Sequence, residues 1–335
     1  MGGGKDQSMK RIALPLLLAL SCLLAVPVWA APRTGGARRA PSVQPTRTVI
    51  YKTVGQTKLQ MFVFEPAGHK ASDRCPAIVF FFGGGWTSGT PGQFYPHAAY
   101  LASRGMVAFC ADYRVKSRQG VTPFECVADA KSAVRYVRAH AGELGVDPKR
   151  IAAGGGSAGG HIAACTGTIP GLDDTSEDAK VSSAPDAMVL FNPVLTLDPE
   201  LFRKRGIDEE FIRRLQGRFG DKDPRDISPY NHVRAGQPPT IIFHGEADTT
   251  VPIASIRVYV EAAKKAGNRC ELAAYAGKAH GFFNYGRGDE YYDTLRKTDE
   301  FLASVGFLQG PATVNVPTPA KPSPAADTVK PAGDK

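Results

Sequence analysis

Six short runs of apolar, β-forming residues recur along the chain, and helix-length stretches separate most of them. They are AIVFFF (77–82), MVAFCADYR (106–114), RIAAGG (150–155), AMVLFNP (187–193), TIIFHG (240–245) and CELAAYAG (270–277). Runs this short are poor buried helices, and their continuous apolar character marks strands covered on both faces. The segments 97–105, 124–145, 161–167, 253–267 and 290–307 read as helices. In 124–145, Val127, Ala130, Val134 and Val137 recur at helical spacing. Strand–helix alternation implies an α/β fold: a mostly parallel central sheet with helices on both faces. Ahead of it, TRTVIYKTV and KLQMFVFEP flank Gly55–Gln56 and predict an antiparallel hairpin. Residues 197–235 interrupt the alternation with a charged, partly helix-prone stretch, read as a small cap insertion or a surface excursion.

The two ends differ from this body. Lys10 and Arg11 precede the apolar run IALPLLLALSCLLAVPVWA, which closes on small residues at Val28 and Ala30. A basic start, an apolar centre and a small-residue exit predict a signal peptide over 1–30 and hence export, to the periplasm or beyond the cell. Pro15 and Pro27 argue against a membrane anchor, so no stable membrane insertion is expected after cleavage. Ala19 stands where a lipoprotein signal around Cys22 would want a large aliphatic residue, and Met9 heads the better-shaped signal. Residues 31–46 form an arginine-, proline- and glycine-rich arm, and residues 309–335 a Pro/Ala-rich tail without an aromatic side chain; both compositions predict disorder. The body between them, 47–308, fits one large α/β domain.

Charge decides whether nucleic acid is a partner. The chain of 335 residues has a formal net charge of +9, from 41 Lys and Arg against 32 Asp and Glu. Residues 1–49 and 310–335 hold ten of those cations and three of the anions, leaving 31 and 29 in residues 50–309. The body is nearly neutral, so no nucleic-acid partner is expected. Five cysteines lie outside the signal, at 75, 110, 126, 165 and 270. An exported chain can form disulfides, but an odd number leaves at least one thiol unpaired within the chain. Cys110 lies in an apolar strand and reads as a buried thiol, and none of the spacings suggests a metal site.

The stretch IAAGGGSAGGHIAA (151–164) concentrates glycine around one hydroxyl. Gly155-Gly156-Ser157-Ala158-Gly159 matches G-x-S-x-G between a strand end and a helix start, the context of a nucleophile elbow. The helix that follows aims its first amides toward the serine, where they would stabilise an oxyanion. A serine needs a base to attack. Asp248, in IIFHGEADTTVP, and His280, in KAHGFFN, both follow strand ends, and the order Ser157, Asp248, His280 is the order of this architecture. In that reading His280 takes and returns the proton, and Asp248 fixes the imidazole tautomer. Glu246 and Asp198 are rival acids; His244 reads as structural; His161, four residues past Ser157, reads as packing with a possible place at the pocket. FFFGGGWTSG (80–89) ends a strand in three glycines whose amides are free to point inward.

Together FFGGGW, ADYRV, FECVADAKSAVRYVR, GGGSAGGHIAA, SPYNHV, HGEADTTVP and AHGF make residues 47–308 resemble the α/β-hydrolase superfamily. Within it, the chain looks like the esterase and lipase group that holds hormone-sensitive-lipase-like carboxylesterases and exported acetylxylan and feruloyl esterases. The resemblance implies oxyanion-hole amides from Gly84, Gly85 and Ala158, with Trp86 beside them, and no cofactor. Many relatives carry a histidine before the three glycines, where this chain has Phe82. The expectation is an exported, metal-independent serine hydrolase of short acyl esters, on polysaccharide or small molecules. A prolyl-oligopeptidase-like peptidase is the alternative, and a non-catalytic binding protein on the same scaffold a third.

Overall fold

The computed structural model describes residues 43–315, except 205, 207 and 208. The expected signal peptide and most of the expected arm and tail lie outside the described residues. The chain runs β1 (Arg47–Val54), β2 (Thr57–Phe64), β3 (Cys75–Phe81), α1 (Tyr95–Ser103), β4 (Val107–Ala111), α2 (Lys116–Gln119), α3 (Pro123–Ala139), β5 (Val146–Gly156) and α4 (Ala158–Thr168). It continues β6 (Ala187–Phe191), α5 (Pro199–Lys204), α6 (Glu209–Gln216), β7 (Thr240–Gly245), α7 (Ile253–Lys265), β8 (Cys270–Tyr275) and α8 (Glu290–Ser304). The described strands make one eight-stranded sheet in the order β1-β2-β4-β3-β5-β6-β7-β8. The β1–β2 and β2–β4 pairings are antiparallel, and every pairing from β4 onward is parallel. The expected hairpin and the expected α/β-hydrolase sheet are both present.

The alternation of β-strand side chains explains why the central runs are apolar throughout. Ile78 and Phe80 point to one face of β3 and pack with Ala98, Leu101, Phe301 and Leu302 of α1 and α8. Val79 and Phe81 point to the other and pack with Val127, Val134, Ile162 and Ile256 of α3, α4 and α7. Each face needs an apolar residue at every second position, so the strand needs one at every position.

Helix α3 starts where a capping box can hold it. Glu125 accepts hydrogen bonds from the Thr122 amide (2.8 Å) and hydroxyl (2.5 Å), which stabilises a helix start by about 1 kcal/mol. The helix ends six residues earlier than its sequence pattern suggests, at Ala139. The Ala141 carbonyl instead receives the Val146 amide at the start of β5, and Ala141 and Leu144 stay buried in the core. All five cysteines among the described residues are free thiols; only Cys75 is not fully buried. No helix among the described residues is long and apolar enough to cross a membrane.

Candidate active site

The parallel strands end on one edge of the sheet, and the candidate residues leave from those ends. Ser157 follows β5, Asp248 follows β7, His280 follows β8, and Gly83–Trp86 follow β3. Ser157 has φ 55° and ψ −119°, a left-handed backbone that costs a serine on the order of 1–3 kcal/mol. The surroundings hold it there: its amide donates to the Phe191 carbonyl on β6 at 2.8 Å, and its carbonyl accepts the His161 amide at 2.9 Å. The glycines of the motif permit the close approach. A Cβ on Gly159 would fall 2.1 Å from the Phe81 carbonyl oxygen, so α4 could not lie this near β3 with any larger residue there.

The structure brings the three predicted residues into one hydrogen-bonded chain. His280 Nε2 lies 3.0 Å from Ser157 Oγ, and His280 Nδ1 lies 2.7 Å from Asp248 Oδ2. A carboxylate only accepts, so Nδ1 carries the proton and Nε2 presents its lone pair to the serine hydroxyl. Asp248 is buried and fully hydrogen-bonded: Oδ1 accepts the amides of Thr250 and Val251, both at 2.9 Å. Burial alone would raise the Asp248 pKa, but hydrogen bonds from His280 and the Val251 amide outweigh it and hold the carboxyl below its ordinary value. The rivals are occupied elsewhere. Glu246 pairs with Arg257 on the surface at 2.9 Å, and Asp198 accepts the Glu200 amide at 3.0 Å, at the start of α5.

Gly84, Gly85 and Ala158 carry amides that donate to no other described backbone group, and all three residues line cavities shared with Ser157. Gly83 is excluded from that role, because its amide donates to Gln93 Oε1 at 2.6 Å. Gln93 Nε2 in turn donates to Asn284 Oδ1 at 2.9 Å, which ties the glycine loop to the loop that carries His280. The Phe82 ring stacks on Tyr113, with centroids 4.2 Å apart, and the Tyr113 hydroxyl donates to the Phe82 carbonyl at 2.7 Å. This contact and the bonds from the Lys116 and Ser117 amides to the Trp86 and Thr87 carbonyls brace the loop where many relatives have a histidine.

His161 does not reach the pocket, and its candidacy there is corrected. On α4 it turns under Trp86, accepting the indole N–H on Nδ1 at 3.2 Å and facing the Ile227 carbonyl from Nε2 at 2.7 Å. Burial lowers its pKa to about 4, so it is a neutral buttress. Trp86 itself lines the cavity as expected. The 197–235 insertion also reaches this edge. Ile212 and Phe219 are buried, Leu215 and Arg218 line the cavity wall, and Arg218 Nη1 donates to the Gly85 carbonyl at 2.5 Å.

The residue that sequence reasoning missed is Asn192, after β6. It is fully buried with φ 42°, and its amide uses both ends. Nδ2 donates to Asp248 Oδ2 at 3.0 Å, and Oδ1 accepts the Gly281 amide at 3.2 Å. It therefore fixes the acid and the histidine loop relative to each other. A hydrogen bond to a charged group contributes about 1.5–3 kcal/mol. Asn192→Ala should accordingly lower kcat by roughly 10–100-fold with KM within about threefold, read from steady-state kinetics on a short p-nitrophenyl ester. An unchanged kcat would show that Asp248 holds its place without this bond.

Ser157 sits between two cavities. One, of about 280 Å³, is lined by Trp86, Ala158, Val194, Leu215, Val251 and their neighbours. The other, of about 480 Å³, is lined by Gly83–Gly85, Thr87, Gln93, His280 and Asn284 among others. Both expose more apolar than polar surface; bulky side chains line the smaller one and three glycines the larger.

Residues 61–261 match the BD-FAE family, and residues 219–310 match the dienelactone hydrolase family. Among solved structures, the chain is 54% identical to esterase 2 of Thermogutta terrifontis in its butyrate-bound form, with a TM-score of 0.75, covering 81% of this chain and 98% of that one. That enzyme is also known with propionate bound and phosphorylated by paraoxon. Among curated proteins, a probable isoprenylcysteine alpha-carbonyl methylesterase of Arabidopsis thaliana is 26% identical over 70% of this chain and 50% of its own length. An acetylxylan esterase of Xylanibacter ruminicola is 30% identical over 71% of this chain and 46% of its own. The chain spans about half the length of the curated relatives it matches.

Proposed function

The chain belongs to the BD-FAE family of α/β-hydrolase esterases, and from that premise we propose that it hydrolyses short-acyl carboxylic esters through an acyl-enzyme on Ser157. The observation that carries the reading is the Asp248–His280–Ser157 hydrogen-bond chain opening directly on the small cavity. In the first half-reaction Ser157 Oγ attacks the ester carbonyl and its proton passes to His280 Nε2. Asp248 stabilises the imidazolium formed. The amides of Gly84, Gly85 and Ala158 receive the oxyanion, helped by the N-terminus of α4. The carbon–oxygen bond then breaks, and the alcohol leaves with the proton from His280. In the second half-reaction His280 deprotonates a water molecule that attacks the acyl-enzyme, and the acid leaves as Ser157 recovers its proton.

The smaller cavity is assigned to the acyl chain and the larger one to the alcohol. A volume of about 280 Å³ lies just below the usual range of ligand pockets, about 300–1,000 Å³. Such a space favours acyl groups of a few carbons. The propionate and butyrate forms of the Thermogutta enzyme support a short acyl group. The names of the curated relatives point to different esters, one acetylated and one methylated, and both have one small side.

Across p-nitrophenyl acetate, butyrate, octanoate and palmitate, kcat/KM should peak at acetate or butyrate and fall at least about tenfold by octanoate, since the chain outgrows the pocket and loses transition-state fit. A maximum at octanoate or beyond would overturn the pocket assignment. Acetylated xylan in the same panel separates polysaccharide from diffusible esters. Export is part of the proposal, and it rests on the leader pattern of residues 1–30.

A further inference from the structure

A second group of reactive side chains lies far from Ser157. His69 and Asp73 stand in the connection between β2 and β3, and Cys75 opens β3. This is the N-terminal end of the parallel strands, whereas the triad leaves from their C-terminal ends. His69 Nδ1 lies 3.4 Å from Asp73 Oδ2 and 3.7 Å from Cys75 Sγ. The three ligand atoms all fall within 4.8 Å of one another. We propose that His69, Asp73 and Cys75 bind one zinc-class divalent cation, with water completing a tetrahedral shell.

Three features of the site support this. His69 Nε2 faces the Leu144 carbonyl at 2.9 Å. That bond places a proton on Nε2 and turns the Nδ1 lone pair toward the carboxylate and the sulfur, the outer-shell arrangement of a metal-bound histidine. The separations also fit. With bonds of about 2.0 Å to oxygen, 2.1 Å to nitrogen and 2.3 Å to sulfur, tetrahedral zinc ligands stand roughly 3.3–3.6 Å apart. The two gaps from His69, 3.4 and 3.7 Å, differ from this by tenths of an ångström, and the Asp73–Cys75 gap lies within 4.8 Å. A single proton fits less well: both gaps exceed the 2.7–3.2 Å of an N–H···O bond or need a long S–H contact, and one proton closes only one of them.

The frame around the group is built rather than loose. The Lys70 amide donates to Asp73 Oδ2 at 2.7 Å, the Cys75 amide donates to the Gly145 carbonyl at 2.8 Å, and the His69 ring packs so closely on Gly145 that a Cβ there would fall 2.6 Å from it. The His69 side chain is 6% exposed and that of Asp73 36% exposed, so the group opens to solvent on the acid's side. Binding exchanges the Cys75 S–H bond for a metal–sulfur bond and releases the thiol proton to solvent.

The test uses the untagged full chain, reduced and stripped of metal with EDTA. Competition against a chromophoric chelator should show one equivalent of zinc bound. Cys75→Ser and His69→Ala should each weaken that binding at least about tenfold, while Glu300→Gln, a surface acid on α8, should bind as the parent does. Cobalt should give a thiolate charge-transfer band that Cys75→Ser removes. Zinc should protect Cys75 from iodoacetamide and leave ester turnover unchanged. Less than a tenth of an equivalent bound, full binding in Cys75→Ser, or alkylation of Cys75 at the same rate with and without zinc would each overturn the site. None of these outcomes bears on the esterase reading.

Discussion

Ser157→Ala should lower kcat on p-nitrophenyl acetate by about 10⁶-fold, the order of loss seen when the nucleophile of a serine triad is removed. The loss is this large because no other side chain can form the acyl-enzyme. The residual rate would come from the oxyanion amides and from binding alone. The far-ultraviolet circular dichroism should not change, since alanine removes one oxygen from a half-buried position. A companion variant separates chemistry from strain. At φ 55° alanine keeps the strain, whereas Ser157→Gly relieves it and should raise the unfolding free energy by roughly 1 kcal/mol. Both variants should be inactive, with the glycine form melting higher. Turnover within tenfold of the parent in Ser157→Ala would end the acyl-enzyme account. An organophosphate should label the parent at Ser157 and leave the variant untouched, which gives a readout independent of any substrate.

The triad was legible because its chemistry is written in residue type and chain order. Ser157, Asp248 and His280 each follow an apolar strand run, and in a parallel sheet all such ends meet at one edge. The glycines at 83–85 and around Ser157 were legible for a related reason: a chain that crowds backbone against backbone can use little else. Asn192 was not legible. FNPV reads as an ordinary strand exit, and only the folded sheet shows its amide lying between Asp248 and Gly281. Gln93 was hidden in the same way, since its contacts to Gly83 and Asn284 span ten and 191 residues. For His161 the packing reading holds and the place at the pocket does not, because helical spacing says which side of α4 a residue occupies relative to Ser157, but not that the Ile227 carbonyl approaches from the insertion. The charged insertion hid its own inward face, because Ile212 and Phe219 are few among many cations and acids. His69, Asp73 and Cys75 lack the spacing of any familiar metal motif, and only the turn before β3 draws them together.

Asp248→Asn is expected to lower kcat at neutral pH by about 10³–10⁴-fold with little change in KM. The shape of the side chain survives, and the amide oxygen can still accept from Thr250 and Val251. The change falls on the other atom. Where Oδ2 now accepts from both His280 Nδ1 and Asn192 Nδ2, an amide nitrogen would donate. It would face the Asn192 donor and would favour a His280 tautomer with its proton on Nε2, the wrong nitrogen to receive the serine's proton. The imidazolium formed in the transition state would also lose its buried counter-charge. Stability gives a second reading of the same group. Because the Asp248 pKa is held below its unfolded value, the carboxylate contributes stability that is fully present above about pH 5. That contribution is lost as the pH falls through the lower folded value. The difference in unfolding free energy between parent and Asp248→Asn should therefore be largest above about pH 5 and shrink on acidification, as urea titrations across that range would show. A variant that keeps kcat within tenfold of the parent at pH 7 would mean that His280 needs no buried acid, and the catalytic role of Asp248 would fall together with the positioning role of Asn192 behind it.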